Sequence, residues 1–193
     1  MSEARAAVRD AMEKAYFHEQ TVSHNIFASL TLPYTMIAAG IGATVFLVRQ
    51  IPSDPGEFFW WAAVAGLVGT IVSLVVAACS LINASFRNQY KYIYPGNMNS
   101  YFYDLIKYYG ERGSSTPESD AFADFENELI EQYAEGARYN QRTNFAREGS
   151  RQTAFSALLV AGAFLLASAG TLTLGSVEGI FDESGRTEAQ ATP

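Results

Sequence analysis

Residues 58–82, FFWWAAVAGLVGTIVSLVVAACSLI, form a run of 25 positions without one charged side chain. A helix needs about 20 mainly apolar residues to cross roughly 30 Å of hydrocarbon. Lipid offers a backbone no hydrogen-bond partners, so a segment that crosses it is expected to be helical. Residues 26–48 and 154–177 are uncharged runs of the same kind, with 23 and 24 positions. The sequence therefore predicts an all-α membrane protein with three transmembrane helices.

The three uncharged runs divide the 193-residue chain into five predicted segments. Residues 1–25 are expected to form an amphipathic helix, because Val8, Met12 and Tyr16 lie four apart. The other predicted segments are a two-span hairpin (26–82), a helical block (83–153), the third span (154–177) and an acidic tail (178–193).

The basic residues predict the orientation of these segments in a lipid bilayer. Segments 1–25 and 83–153 together hold 11 Lys and Arg residues, whereas the connection 49–57 and the tail hold 2. Basic flanks stay on the cytoplasmic side. The N-terminus and the helical block are therefore predicted to be cytoplasmic, and the C-terminus extracytoplasmic. Trp60 and Trp61 would then lie in the outer aromatic belt.

Two spans carry small residues at every fourth position, which lets helices approach closely. Packing among the three spans of one subunit is the simpler explanation of either face. Two such faces still leave surface for neighbouring subunits, so we expect a homo-oligomer and take four subunits as a working number. The faces are Ala65, Gly69, Ser73 and Ala77 in the second span, and Ala163, Ala167, Thr171 and Gly175 in the third.

No Asp, Glu, Lys, Arg or His lies in any span, which argues against proton relays and ion-coupled transport. A pore through such spans would be lined by hydroxyl groups and would select by size and by the charge at its mouths. The candidate pore-lining residues are Thr44, Thr70, Ser73, Ser168 and Thr171.

Proline and glycine mark the expected breaks between helices. Pro33 predicts a kink in the first span, either as a hinge or as a static bend. The sequence Pro95-Gly96-Asn97 predicts a turn, followed by a helix that ends near Gly110. Residues 113–115 predict a flexible break, and Thr116-Pro117 predicts the start of another helix. Because this helix contains no further proline before residue 177, it can run directly into the third span.

The helix after Pro117 changes character along one face. Its apolar stripe, Phe122, Phe125, Leu129 and Tyr133, continues into Gly136, Asn140, Asn144, Arg147 and Arg151. Such a face suits a water-filled vestibule or a phosphate group, which arginine forks bind well. Lipid head groups bound by arginines near a membrane explain it equally well. The candidate ligand-binding residues are Arg138, Tyr139, Asn140, Arg142, Asn144, Arg147 and Arg151.

Catalytic and metal-binding motifs are missing from the sequence. It contains no nucleophile elbow, no paired-glycine phosphate loop and no HExxH motif. His18 and His24 are six apart, which does not place them on one helical face for a metal. We therefore predict neither an enzyme nor a metal or cofactor site.

The layout of the first half of the chain resembles the SLATT-type bacterial membrane effectors. The matching pieces are the helix of Val8, Met12 and Tyr16, the hairpin closed at 52–56, and the polar exit 85–90. The third span and the acidic tail depart from the two-span pattern. They are similar to the membrane component of Hailong-like defence systems.

This resemblance implies a pore-forming effector of anti-phage immunity in the bacterial inner (plasma) membrane. It further implies control by a nucleotide or oligonucleotide from a partner nucleotidyltransferase. A non-conducting membrane-anchored adaptor of a larger complex remains the alternative. A small transporter is disfavoured by the uncharged spans and by the lack of an internal repeat.

Overall fold

The computed structural model describes residues 3–51, 57–86, 90–93 and 95–190, without the side chains of residues 57, 95–97 and 178–190. The predicted turn at 52–56 and residues 87–89 of the exit from the second span lie outside this part of the chain. Every regular element within it is an α-helix. The helices are α1 (Glu3–Ser29), α2 (Thr31–Arg49), α3 (Glu57–Phe86), α4 (Pro95–Glu111) and α5 (Pro117–Gln190).

Three helical segments are long and apolar enough to cross a membrane, as predicted: Glu3–Arg49, Phe58–Phe86 and Pro117–Val177. The first of these is interrupted at Leu30, between α1 and α2. Pro33 explains the position of the interruption, because its ring would clash with the carbonyl group of Ser29 in a continuous helix. The helix restarts with the Tyr34 N–H donating to the Leu30 carbonyl oxygen at 3.2 Å.

The boundaries of α4 and α5 correct one prediction and confirm others. Residues 95–97 do not form a turn before a helix. They are the first residues of α4, with Pro95 at the first helical position, where its missing N–H costs nothing. The chain leaves α4 through Gly113, whose φ of 77° suits glycine. Helix α5 begins at Pro117 as expected and continues unbroken through the third span into the predicted tail.

The chain divides into two compact units. The first unit consists of Met1–Ala28 and Arg87–Arg147, and the second of Ser29–Phe86 and Glu148–Pro193. The two units differ in chemistry, since the uncharged runs fall almost entirely in the second.

In the second unit, α3 packs antiparallel to both α2 and α5. Leu81 and Ala84 of α3 cluster with Leu30 and with Ala154 at the start of the third predicted span. Further along, Leu74 and Ala77 cluster with Leu158 and Ala161. Helix directions that alternate in this way are those required of three successive crossings of a bilayer.

The side chains of the second unit are distributed oppositely to those of a soluble protein. Thr70 and Ser168 are completely buried, whereas Leu159 and Leu166 are 72% and 77% exposed. Small and hydroxylated residues thus share the helix contacts with a few leucines, and many large apolar residues face outward. Water disfavours this arrangement, but lipid accommodates it.

Candidate functional site

The structure separates the seven predicted ligand-binding residues into three groups. Asn140, Asn144 and Arg147 are buried in the first unit, with 0%, 4% and 4% exposure. Arg138, Tyr139 and Arg142 are exposed on another face of α5 in the same unit. Arg151 belongs to the second unit.

The buried asparagines hold the extended segment 90–93 against the helices of the first unit. The Asn140 side chain accepts a hydrogen bond from the Lys91 N–H at 3.0 Å and donates one to the Lys91 carbonyl oxygen at 3.3 Å. The Tyr16 hydroxyl of α1 also donates to that carbonyl at 3.3 Å and accepts from the Ile93 N–H at 3.2 Å. Side chains thereby satisfy backbone groups that have no helical partner.

Asn144 extends this polar network, one turn further along α5. Its amide nitrogen donates to the backbone and carboxylate oxygens of Glu19, each at 2.8 Å. Its amide oxygen accepts a hydrogen bond from the Tyr90 hydroxyl. The Asn140–Asn144 network therefore joins α1, segment 90–93 and α5, and its immediate role is to hold the first unit together.

Arg147 adds aromatic contacts to the same region. Its guanidinium carbon lies 4.9 Å from the centroid of the Phe27 ring and 4.8 Å from that of Tyr90. Contacts of this kind are electrostatically favourable and partly replace the water that a buried cation loses. Asn140, Asn144 and Arg147 of the stripe are therefore interior residues of the first unit, with aromatic rings against the Arg147 guanidinium group.

Arg138, Tyr139 and Arg142 are the predicted ligand-binding residues that remain at the surface. Arg138 and Arg142 lie one helical turn apart, so their guanidinium groups can approach the same anion. Tyr139 is 44% exposed beside them. A phosphate group and a lipid head group both suit this surface pair.

Arg151 fixes two segments within the second unit. One terminal nitrogen donates to the Ser29 hydroxyl at 2.7 Å, and the other lies 2.6 Å from the Glu148 carboxylate. The residue thus ties α5 to the end of α1.

The five candidate pore-lining hydroxyls mostly bond to their own helices. Thr44, Thr70 and Ser73 donate to the carbonyl oxygens four residues earlier, at 2.8–3.0 Å. Ser168 lies between helices, within 3.3 Å of the Ala63 carbonyl oxygen of α3. Thr171 donates to the Ser168 carbonyl oxygen at 2.9 Å. In one subunit, therefore, four of these side chains are buried and Thr171 is half-buried.

The first unit also contains a cavity of ≈ 520 Å³ that the sequence did not indicate as a site. We call it the aromatic cavity, because five aromatic side chains line it: Tyr16, Phe17, Tyr92, Phe125 and Tyr133. Burial raises the pKa of the Tyr133 phenol, and the negative charge of Glu13 adds to the rise. Two patterns of the sequence analysis include residues of its walls: the N-terminal helix contains Tyr16, and the apolar stripe of α5 contains Phe125, Leu129 and Tyr133.

Groups of three or more His, Cys, Asp or Glu residues positioned to hold a metal ion are not found among the described residues. No family model, curated protein or solved structure matches the chain.

Proposed function

We propose that the protein is the subunit of a homo-oligomeric membrane pore, which a ligand bound to the first unit opens or closes. The observation that carries the proposal is the outward surface of α5 in the second unit. Ala163 and Ala167 are exposed there, and a Cβ atom added to Gly170 would meet no atom within 4 Å. Small residues on a lipid-facing surface allow a helix of another subunit to approach closely.

The spans supply a second argument, from the chemistry of a conduction path. They hold hydroxyl groups and no Asp, Glu, Lys, Arg or His. A path built by several subunits from such helices would be narrow, uncharged and weakly polar. Selection would then depend on pore width and on charges at the mouths, as in a channel rather than an ion-coupled transporter.

The proposed topology places the first unit in the cytoplasm and residues 52–56 and the C-terminus outside. Residues from before the first span and between the second and third spans belong to one compact unit. A single folded unit must lie on one side of a bilayer. The excess of basic residues in these segments supports the cytoplasmic side.

The biological role within this proposal comes from the resemblance to SLATT-type and Hailong-like effectors. On that basis, the pore acts in anti-phage immunity in the bacterial inner membrane. Its ligand would be a nucleotide or oligonucleotide made by a nucleotidyltransferase. The exposed Arg138, Tyr139 and Arg142 are the residues proposed to receive its phosphates.

Assembly and ion flux of the purified protein test the proposal together. The native mass in detergent should exceed that of one subunit. Liposomes that contain the protein should conduct small ions, as reported by an ion-sensitive dye, either with the ligand or without it. Replacing both Ala163 and Ala167 with leucine should abolish the oligomer and the leak, because the added volume separates the helices. Replacing the exposed Leu159 with alanine is the control and should preserve both.

A non-conducting adaptor is the second candidate, and exposed aromatic residues of the first unit favour it. Phe145 is 83% exposed and Tyr103 is 63% exposed, as expected of a surface that docks another protein. An oligomer that never leaks ions, with or without nucleotides, would support this adaptor and contradict the pore.

A further inference from the structure

We propose that the aromatic cavity of the first unit binds an uncharged, planar heteroaromatic ring. The proposal deepens the proposed function, since the ring would belong to the controlling ligand. The site requires only the cavity, however, and no property of the spans. At ≈ 520 Å³ the cavity lies within the range of about 300–1,000 Å³ that is usual for small-molecule sites.

The interior of the cavity is held in place before any ligand arrives. Tyr16 is 3% exposed, and its hydroxyl bonds to the backbone of Lys91 and Ile93. Its ring centroid lies 5.5 Å from that of Tyr133. A ring fixed by both hydrogen bonds and neighbours loses little freedom on binding, which favours affinity.

Two further rings stand where a ligand would enter. Phe17 and Tyr92 line the cavity but are 49% and 56% exposed, which leaves part of each ring uncovered. The Phe17 centroid lies 6.4 Å from that of Tyr133, at an interplanar angle of 52°. Tilted rings around an open space offer both faces and edges to a flat aromatic ligand.

The polar lining distinguishes a heteroaromatic ring from a purely apolar ligand. The amides of Gln20 and Asn99 line the cavity, and neither makes a hydrogen bond to another residue of the described ranges. Each amide offers a donor and an acceptor. An aliphatic ligand would cover these groups without bonding to them, at a cost of desolvation. Ring nitrogen and oxygen atoms would satisfy them.

The charge of the lining limits the ligand further. The ten described residues that line the cavity include no charged side chain. An ionised group inside would lose its water without gaining an opposite charge, which is strongly unfavourable. A phosphate attached to the ring would therefore remain outside the cavity and contribute little to the contacts within it.

Equilibrium dialysis of the full chain in detergent tests this site with three uncharged probes: adenosine, uridine and riboflavin. At least one should bind saturably. If the adenosine ring is accepted, adenosine 5′-monophosphate should bind within about threefold of adenosine, because its phosphate stays outside. The site is contradicted if none of the three binds, or if the monophosphate binds while adenosine does not.

Variants identify the cavity as the place of binding. Leu129→Trp fills the cavity and should abolish binding. Phe122→Trp, two helical turns earlier on the same stripe of α5 and outside the lining, should leave binding unchanged. Gln20→Leu removes one amide with little change in volume and should weaken binding ~10-fold. Circular dichroism checks that each variant folds. If Leu129→Trp does not fold, the binding affinity of Gln20→Leu tests the site.

These outcomes are separate from those of the pore. Full binding in the presence of Leu129→Trp or Gln20→Leu would overturn the cavity site even if the protein conducts. Conversely, binding that both variants weaken would sustain the site in a protein that does not leak ions.

Discussion

Buried amide side chains are the residues on which the first unit depends most. Asn140 is completely buried and pairs with both backbone groups of Lys91. Its removal leaves the Lys91 N–H without this partner, and the Lys91 carbonyl oxygen keeps only the Tyr16 hydroxyl. Each such loss is usually worth about 1–3 kcal/mol.

Asn140→Ala should therefore lower the free energy of unfolding by about 2–4 kcal/mol, from two lost hydrogen bonds. It should also speed hydrogen exchange at the amides of residues 91 and 93. The neighbouring exposed Gln141→Ala should change stability by less than about 0.5 kcal/mol. Thermal unfolding in detergent and exchange mass spectrometry measure both effects. Equal stability of the two variants would show that the network is not structural.

Arg138 and Arg142 carry the residue-scale prediction about the phosphate ligand. If they hold a phosphate by paired hydrogen bonds, Arg→Lys at both positions should weaken binding of a labelled oligonucleotide at least ~10-fold. Arg→Glu should abolish it. If they hold lipid head groups, the lysine variant should bind anionic liposomes as well as the wild type does. Unchanged oligonucleotide binding by the lysine variant would contradict the phosphate site.

Among the helices, the contact between α4 and α5 depends on ionisation. The Tyr109 hydroxyl donates a hydrogen bond to Asp124, which raises the pKa of Tyr109 to about 12, from an ordinary value of 10.0. A raised pKa means that folding favours the protonated phenol. The stability from this contact is therefore complete below pH 10 and is lost as the pH rises through 10 to 12.

The variant Tyr109→Phe isolates this contact. Its stability deficit relative to the wild type should be constant below pH 10 and should shrink as the pH approaches 12. In the absorbance titration of the folded proteins, the phenol present only in the wild type should ionise near pH 12. If the phenol that the wild type has and Tyr109→Phe lacks ionises near pH 10, the contact with Asp124 is contradicted.

The contact between α3 and α5 sets the spacing of the membrane helices. A Cβ atom at Gly66 would lie 2.2 Å from the Ser168 hydroxyl and 3.3 Å from the Phe164 carbonyl oxygen. A Cβ atom at Gly162 of α5 would meet no atom within 4 Å. The two glycines therefore provide a matched pair for the same substitution.

Gly66→Ala should reduce the free energy of unfolding by about 1–3 kcal/mol through overpacking. Gly162→Ala should be neutral or should stabilise by up to about 1 kcal/mol, through helix propensity. Thermal unfolding in one detergent compares them. If Gly66→Ala is as stable as Gly162→Ala, the helices do not pack as described.

At the scale of the whole molecule, the uncharged runs and the positions of proline predicted most of the fold. Uncharged length gave the three apolar helices, and Pro117 gave the start of α5. The start of α4 was missed because Pro95 and Gly96 are typical of turns, yet proline is also well suited to a first helical position.

The candidate site was less predictable because its geometry depends on contacts between distant segments. The stripe pattern placed Asn140, Asn144 and Arg147 on one face of α5, but it could not show that α1 and segment 90–93 cover that face. The aromatic cavity could not be predicted for the same reason. Its walls come from parts of the chain that periodicity treats one at a time.

The most direct test of the account is the side of the membrane on which the first unit and the C-terminus lie. A single cysteine at Ser114, in a Cys79→Ala background, and a single cysteine added after Pro193 report on the two locations. In intact bacterial cells, a membrane-impermeant maleimide should label the C-terminal cysteine but not the cysteine at position 114. After lysis, it should label both. Equal labelling of the two sites in intact cells would contradict three crossings and the cytoplasmic first unit.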